Sequence, residues 1–312
     1  MTALAGGPVL VGVDGSDQSL TAVEHATRIA VARNRPLRIV HGFVSPVYTP
    51  VPPTLGTAAL PADAYGELDA YRDADASLRA HAEQVVEHAQ THARHCAPGV
   101  RVSAEVIDGG AAAVLTSESD KAALLVVGQR GHGGFGGLLL GSVAVQVAAH
   151  AACPFLVTRG EHRRSGPVAV GVDGAPTSAA AIAFAADEAE WRRASLLAVH
   201  AWTAPVSTGP GDMLPLVYDV DRVEAEERRV LAESVAGLAE THPDLPVEQR
   251  LVSGRAAEAF KDLSRHAQLV VVGSRGHGGF VGLLLGSVSR ALIHHADCPV
   301  AVVRPVPPPK QS

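Results

Sequence analysis

Two glycine-rich segments hold the residues of this chain best suited to chemistry: GQRGHGGFGGLLLGSV from Gly128 to Val143 and GSRGHGGFVGLLLGSV from Gly273 to Val288. They differ at two of sixteen positions, Gln129 against Ser274 and Gly136 against Val281. A glycine cluster between an apolar run and a helix start can turn its backbone N–H groups onto phosphate. Gly128, Gly131, Gly133 and Gly134 permit positive φ and close approach to a bulky anion. Beyond Gly141, Ser142 reads as a helix N-cap, which brings its hydroxyl and the first-turn amides to phosphate oxygens. Arg130 and His132 are candidate charge partners, since a guanidinium matches phosphate geometry. Asp14, at the end of the first apolar run, is unsuited to phosphate by itself. It suits a base or ribose hydroxyl, or a Mg²⁺ held between carboxylate and phosphates. The same roles fall to Asp173, Gly273, Arg275, Gly276, His277, Gly278, Gly279, Gly286 and Ser287.

Competing motifs are weaker. No lysine follows a glycine, so the Walker phosphate loop is absent. Gly131 to Gly136 satisfies the GxGxxG dinucleotide pattern, but after the fourth apolar run, without the acidic ribose partner, and Val281 breaks it in the second copy. His81, His88, His92 and His95 share one helical stripe, and His88 with His92 has metal-ligand spacing. The helical wheel sets them beside Leu78, Val85 and Ala89 as a solvated flank, so a polar face is the expectation and no metal is assigned. His294 and His295 end a helix, where imidazole complements the terminal carbonyls. His41 and His200 follow the second strand of each half, open to a role beside a base or as capping groups.

The elements that must position these groups are duplicated as well. Val9–Asp14 matches Val168–Asp173, Leu37–His41 matches Leu196–His200, and Leu124–Gly128 matches Leu269–Gly273. Cys153-Pro matches Cys298-Pro before each last strand. The first half predicts strands over 9–13, 37–43, 101–107, 123–128 and 154–159, with helices over 18–32, 70–95, 111–121 and 142–151. Near-continuous Val/Leu/Ile runs indicate strands buried on both faces, hence parallel and covered by helices. The expectation is α/β: two tandem Rossmann-like domains, 1–162 and 163–312, each a five-stranded parallel doubly wound sheet of order 3-2-1-4-5. That order places the Asp14 turn and the glycine loop at one crevice, between strands one and four.

Composition narrows the partners. A net charge of −6, from 26 basic and 32 acidic residues, disfavours nucleic acid and anionic membrane. There is no basic leader or membrane-length apolar run, so a cytoplasmic location is expected. Cys96, Cys153 and Cys298 form no disulfide framework, and the two before proline read as small buried hydrophobes.

At Gly-x-x-Gly, nine residues, then Gly-Ser, the chain resembles the ATP-binding members of the universal stress protein family. The pattern is filled by Gly128, Gly131, Gly141 and Ser142, and again by Gly273, Gly276, Gly286 and Ser287. The resemblance implies ATP held without rapid turnover, with Gly12, Val13 and Asp14, and Gly171, Val172 and Asp173, near adenosine. The Gly and Ser positions would hold phosphates, with Val143 and Val288 completing the set. It implies pairing through the last strands, within a chain between its two halves or between chains as a homodimer. The function expected is a regulatory, stress-response ATP-binding protein. The alternative is a slow Mg²⁺-dependent ATPase or nucleotide-dependent transferase using Asp14 or Asp173.

Overall fold

A computed structural model describes residues 6–45, 62–132, 140–175, 178–203, 219–274, 276 and 285–304, with the side chains of 62–72 outside that description. The chain divides into two compact units, one built on Ala5–Gly136 with Gly141–Val147 and the other on Ala148–Ser312. No helix among the described residues is long and apolar enough to cross a membrane.

The first unit runs β1 (Val9–Gly12), α1 (Asp17–Ala32), β2 (Leu37–Phe43), α2 (Ala62–Cys96), β3 (Val102–Asp108), α3 (Ala111–Ser119) and β4 (Leu124–Gly128), then enters α4 (Ser142–His150). Its strands are parallel in the order β3-β2-β1-β4, with Val9 opposite both Leu37 and Leu124. Val9, Leu10, Val11, Leu124, Leu125 and Val126 are all buried. Adjacent residues of a strand point to opposite faces, so burial of every one requires helices on both sides. At the edge, β3 alternates half-buried with exposed positions.

The second unit runs β5 (Phe155–Thr158), β6 (Val168–Val172), α5 (Ser178–Arg192), β7 (Leu196–Trp202), α6 (Val220–Val235), α7 (Leu238–Thr241), β8 (Val247–Ser253), α8 (Ala256–Ser264), β9 (Leu269–Gly273), α9 (Ser287–His295) and β10 (Val300–Val303). The order β8-β7-β6-β9-β10 is parallel throughout and is the expected 3-2-1-4-5 winding. β5 joins it antiparallel, with Val157 opposite Val300 and Phe155 opposite Val302. That pairing groups β5 with the second unit, although in sequence it ends the first repeat.

Two elements differ from expectation. α2 begins at Ala62, earlier than the apolar periodicity indicates. Its first turns are rich in Ala and Glu, which favour helix, and in Asp, which is favourable near a helix N-terminus, and none of these writes an apolar stripe. The buried stripe of α2 is Ala82, Val86, Ala89 and Ala93, while Leu78 is exposed. In the second unit the corresponding helix is interrupted between α6 and α7 at Ala236 and Gly237.

Candidate functional site

Each site starts from the turn after the first strand. Gly15 and Gly174 take φ of +86° and +73°, a conformation a side chain strains. The turn bends the aspartate back over itself: Ser16 N–H (3.1 Å) and Ser16 Oγ (2.6 Å) donate to Asp14 Oδ1, and Ala175 N–H (3.1 Å) donates to Asp173 Oδ1. Ser16 also caps α1, accepting from Ser19 N–H at 3.2 Å.

From there the carboxylate reaches the glycine loop. His132 N–H donates to Asp14 Oδ2 at 2.7 Å. A Cβ at Gly131 would lie 2.0 Å from Asp14 Oδ2, and one at Gly276 would lie 2.8 Å from Asp173 Oδ2. Both distances are shorter than real Cβ contacts, so each glycine admits its aspartate by having no side chain. Burial raises the Asp14 pKa, but the hydrogen bonds from Ser16 and His132 outweigh it and hold the carboxyl below its usual range. Asp14 is therefore an anion at neutral pH, fixed between two loops.

The helix after the loop closes the arrangement. Gly141 N–H donates to Gln129 O at 2.9 Å, and Gly286 N–H to Ser274 O at 2.8 Å. Gly286 is the N-cap of α9 with an extended backbone, and Ser287 is its first helical residue. Ser142 likewise is the first residue of α4, with Gly141 O accepting from Val145 N–H at 3.2 Å. The serines thus stand one position inside the cap that the sequence suggests, and both are exposed. In the first helical turn the N–H groups of Ser142 and Val143, and of Ser287 and Val288, have no acceptor within the helix.

The remaining candidates divide between lining and support. Gly12 faces Leu115, whose Cδ1 would be 2.6 Å from a Cβ, and Gly171 faces Phe260 at 3.3 Å. These two glycines admit α3 and α8 onto the sheet. Gly128 admits the backbone of α1, with Gln18 O at 2.9 Å from a Cβ. Gly273 ends β9 beside Val303 of β10. Val13 is buried, and its carbonyl accepts from His41 Nδ1 at 2.8 Å; the Val172 carbonyl accepts from His200 Nδ1 at 2.6 Å. Both histidines therefore tie the second strand to the end of the first. Arg130 and His132 are exposed, and Arg130 N–H donates to Gln18 Oε1 at 2.7 Å. Gln18 carried no signal in the sequence that marked it for this role. Gly133, Gly134, Arg275, His277, Gly278 and Gly279 lie outside the described residues.

In each unit the aspartate, the glycine loop and a serine-headed helix meet at the carboxyl ends of two neighbouring strands, β1 with β4 and β6 with β9. The chain winds outward from the first of these strands and returns on its other side, which is the switch point where ligands of such sheets bind. The cysteines stand apart: Cys153 and Cys298 are buried, and burial pushes the Cys298 thiol up to about 12.

Comparison with known proteins agrees with this duplication. The profile of the Universal stress protein family matches residues 7–159 and again 165–304. A universal stress protein of Mycobacterium tuberculosis is 38% identical over 313 residues, covering 95% of this chain and 94% of its own. Another from Mycolicibacterium smegmatis is 35% identical over 306 residues, covering 95% and 97%. Among solved structures, a universal stress protein from Archaeoglobus fulgidus superposes with a TM-score of 0.65 at 19% identity, covering 96% of this chain and 97% of its own. That likeness concerns the fold. The chain belongs to the universal stress protein family and carries two copies of its domain in tandem.

Proposed function

We propose that the chain binds ATP at both sites and serves as a regulatory nucleotide-binding protein of the stress response. The observation that carries this reading is the repeated contact of a first-strand aspartate with a loop glycine, Asp14 on Gly131 and Asp173 on Gly276, beside an exposed serine at a helix start. The donor set fits a nucleotide. Ser142 and Ser287, with the first-turn amides behind them, offer N–H and O–H groups to phosphate oxygens. The exposed Arg130 adds a cation on the same loop. Asp14 accepts three hydrogen bonds, and a carboxylate has about four lone-pair sites, so one is left for a ribose hydroxyl or an exocyclic amine.

The same geometry favours holding ATP over splitting it. Asp14 is held through both oxygens by Ser16 and His132, which fixes it as a strut with a single acceptor site to spare and favours a nucleotide hydrogen bond over the several-oxygen coordination Mg²⁺ takes. The His132 amide is given to Asp14 and the Gly141 amide to Gln129, so among the described residues phosphate contact rests on the helix starts and Arg130. ATP calorimetry on the intact chain and on the Gly131→Ala, Gly276→Ala double variant tests the assignment. Weakening by at least about tenfold, about 1.4 kcal/mol, is expected. Unchanged affinity in the double variant would refute it.

A further inference from the structure

Away from the nucleotide sites, the first unit brings three unlike metal-ligating groups together across two helices. Glu24 lies on α1, while His92 and Cys96 lie one turn apart on the last turns of α2. Their donor atoms all fall within 4.8 Å of one another. His92 Nε2 is 3.2 Å from Glu24 Oε1, and Glu24 Oε2 is held at 3.4 Å by Arg28 Nη2. The carboxylate is thus oriented from behind, with one oxygen turned to the imidazole and thiol. Glu24 and His92 are half-buried and Cys96 is exposed at the end of the helix.

We infer that Glu24, His92 and Cys96 form a binding site for a zinc-like divalent transition metal that joins α1 to the end of α2. Zn–N and Zn–O bonds of about 2.0–2.2 Å and a Zn–S bond of about 2.3 Å separate tetrahedral ligands by about 3.3–3.7 Å. The His92–Glu24 pair, hydrogen-bonded at 3.2 Å, needs to open by only a few tenths of an ångström and lose the shared proton to the metal, and the thiol needs to draw in by about 1 Å. Cys96 can make that movement by side-chain rotation, because its surface is free and it ends its helix. A sulfur, nitrogen and oxygen donor set selects Zn²⁺, Co²⁺ or similar ions over Mg²⁺ and Ca²⁺, which take oxygen ligands. Three protein ligands leave a fourth position open to water on the exposed side. This site owes nothing to the nucleotide reading, since Glu24, His92 and Cys96 are not ATP-binding candidates.

The test titrates untagged, full-length, reduced protein with Co²⁺ alone, without nucleotide. The expected result is one tightly bound ion per chain, with intense visible bands of tetrahedral cobalt and a thiolate-to-cobalt charge-transfer band. Zn²⁺ should displace it and raise the thermal midpoint. Cys96→Ser, an exposed substitution that leaves the fold intact, should abolish the charge-transfer band. His92→Gln and Glu24→Gln should each weaken binding by about tenfold or more. Absence of tetrahedral bands in the wild-type chain would overturn the proposal. So would a charge-transfer band that survives Cys96→Ser, or wild-type affinity in all three variants.

Discussion

The two units share a site plan and differ in what surrounds it. Both fix the first-strand aspartate against a loop glycine, clamp the second-strand histidine to the Val13 or Val172 carbonyl, and close the helix start with a glycine amide. The supporting polar groups diverge. Ser16 of the first turn stands where the second has Ala175, and Ala82 stands where the second has Glu227. His200 accordingly reaches Glu227 Oε2 at 2.7 Å through Nε2. Placed by the turn aspartates and by the Pro98 and Pro243 turns, Ala183, Gly237 and Thr241 occupy the positions of Glu24, His92 and Cys96. The units therefore keep what builds the crevice and vary what buttresses it. Among the described residues the three-ligand cluster belongs to the first unit, and the helix break at Gly237 falls where the first unit carries His92.

Several substitutions sharpen that comparison, and the largest effects lie beneath the sheet. Phe260→Ala is expected to cost about 3–5 kcal/mol and Leu115→Ala about 2–5 kcal/mol, both read by urea unfolding. Each side chain is buried against the glycine of its first strand. Equal insensitivity at both would break the view that Gly12 and Gly171 exist to receive them.

Next come the loop glycines. Gly131→Ala, with its tighter approach to aspartate, should destabilise its unit by about 1–3 kcal/mol and more than Gly276→Ala does. A reversed ranking in paired thermal melts would contradict the strut geometry. Glu227→Ala removes the second partner of His200 and should cost about 1–3 kcal/mol, whereas Ala82 marks a unit that never had that partner. If His41→Ala and His200→Ala prove equally costly, the added carboxylate contributes nothing.

Smaller still is the cap. Ser16→Ala should lose about 1 kcal/mol, within the range of about 0.5–2 for such caps, in the first unit's unfolding transition. The pH response follows from Asp14. Its folded pKa is depressed, so its stabilisation is present above the unfolded value of about 3.9 and is lost as pH falls through the folded one. An Asp14→Asn variant should flatten that part of the acid unfolding curve, and an unchanged acid limb would argue against the carboxylate as strut.

Much of the architecture was legible in the residue pattern. The expected strand over 37–43 is β2, and the run over 123–128 contains β4. Buried strands announce themselves through unbroken Val, Leu and Ile. The start of α2 was hidden because the residues over 62–72 carry no apolar period of helical spacing. Topology placed Asp14 and the glycine loop together, but not the reason Gly131 must lack a side chain, which exists only across the folded turn. The spacing of His88 and His92 hinted at metal chemistry yet led to a solvated face. Glu24 arrives from another helix, and no local pattern pairs it with His92 and Cys96.

The central claim is that two aspartate–glycine crevices in one chain each hold a nucleotide. Counting it is the most direct test: ATP bound per chain at saturation by calorimetry, checked against nucleotide released when the purified protein is denatured. Two per chain is the expected result, with one of the two sites weakened by about tenfold when Gly131→Ala is introduced alone. A chain that carries no nucleotide as purified and takes up none in solution would contradict the account.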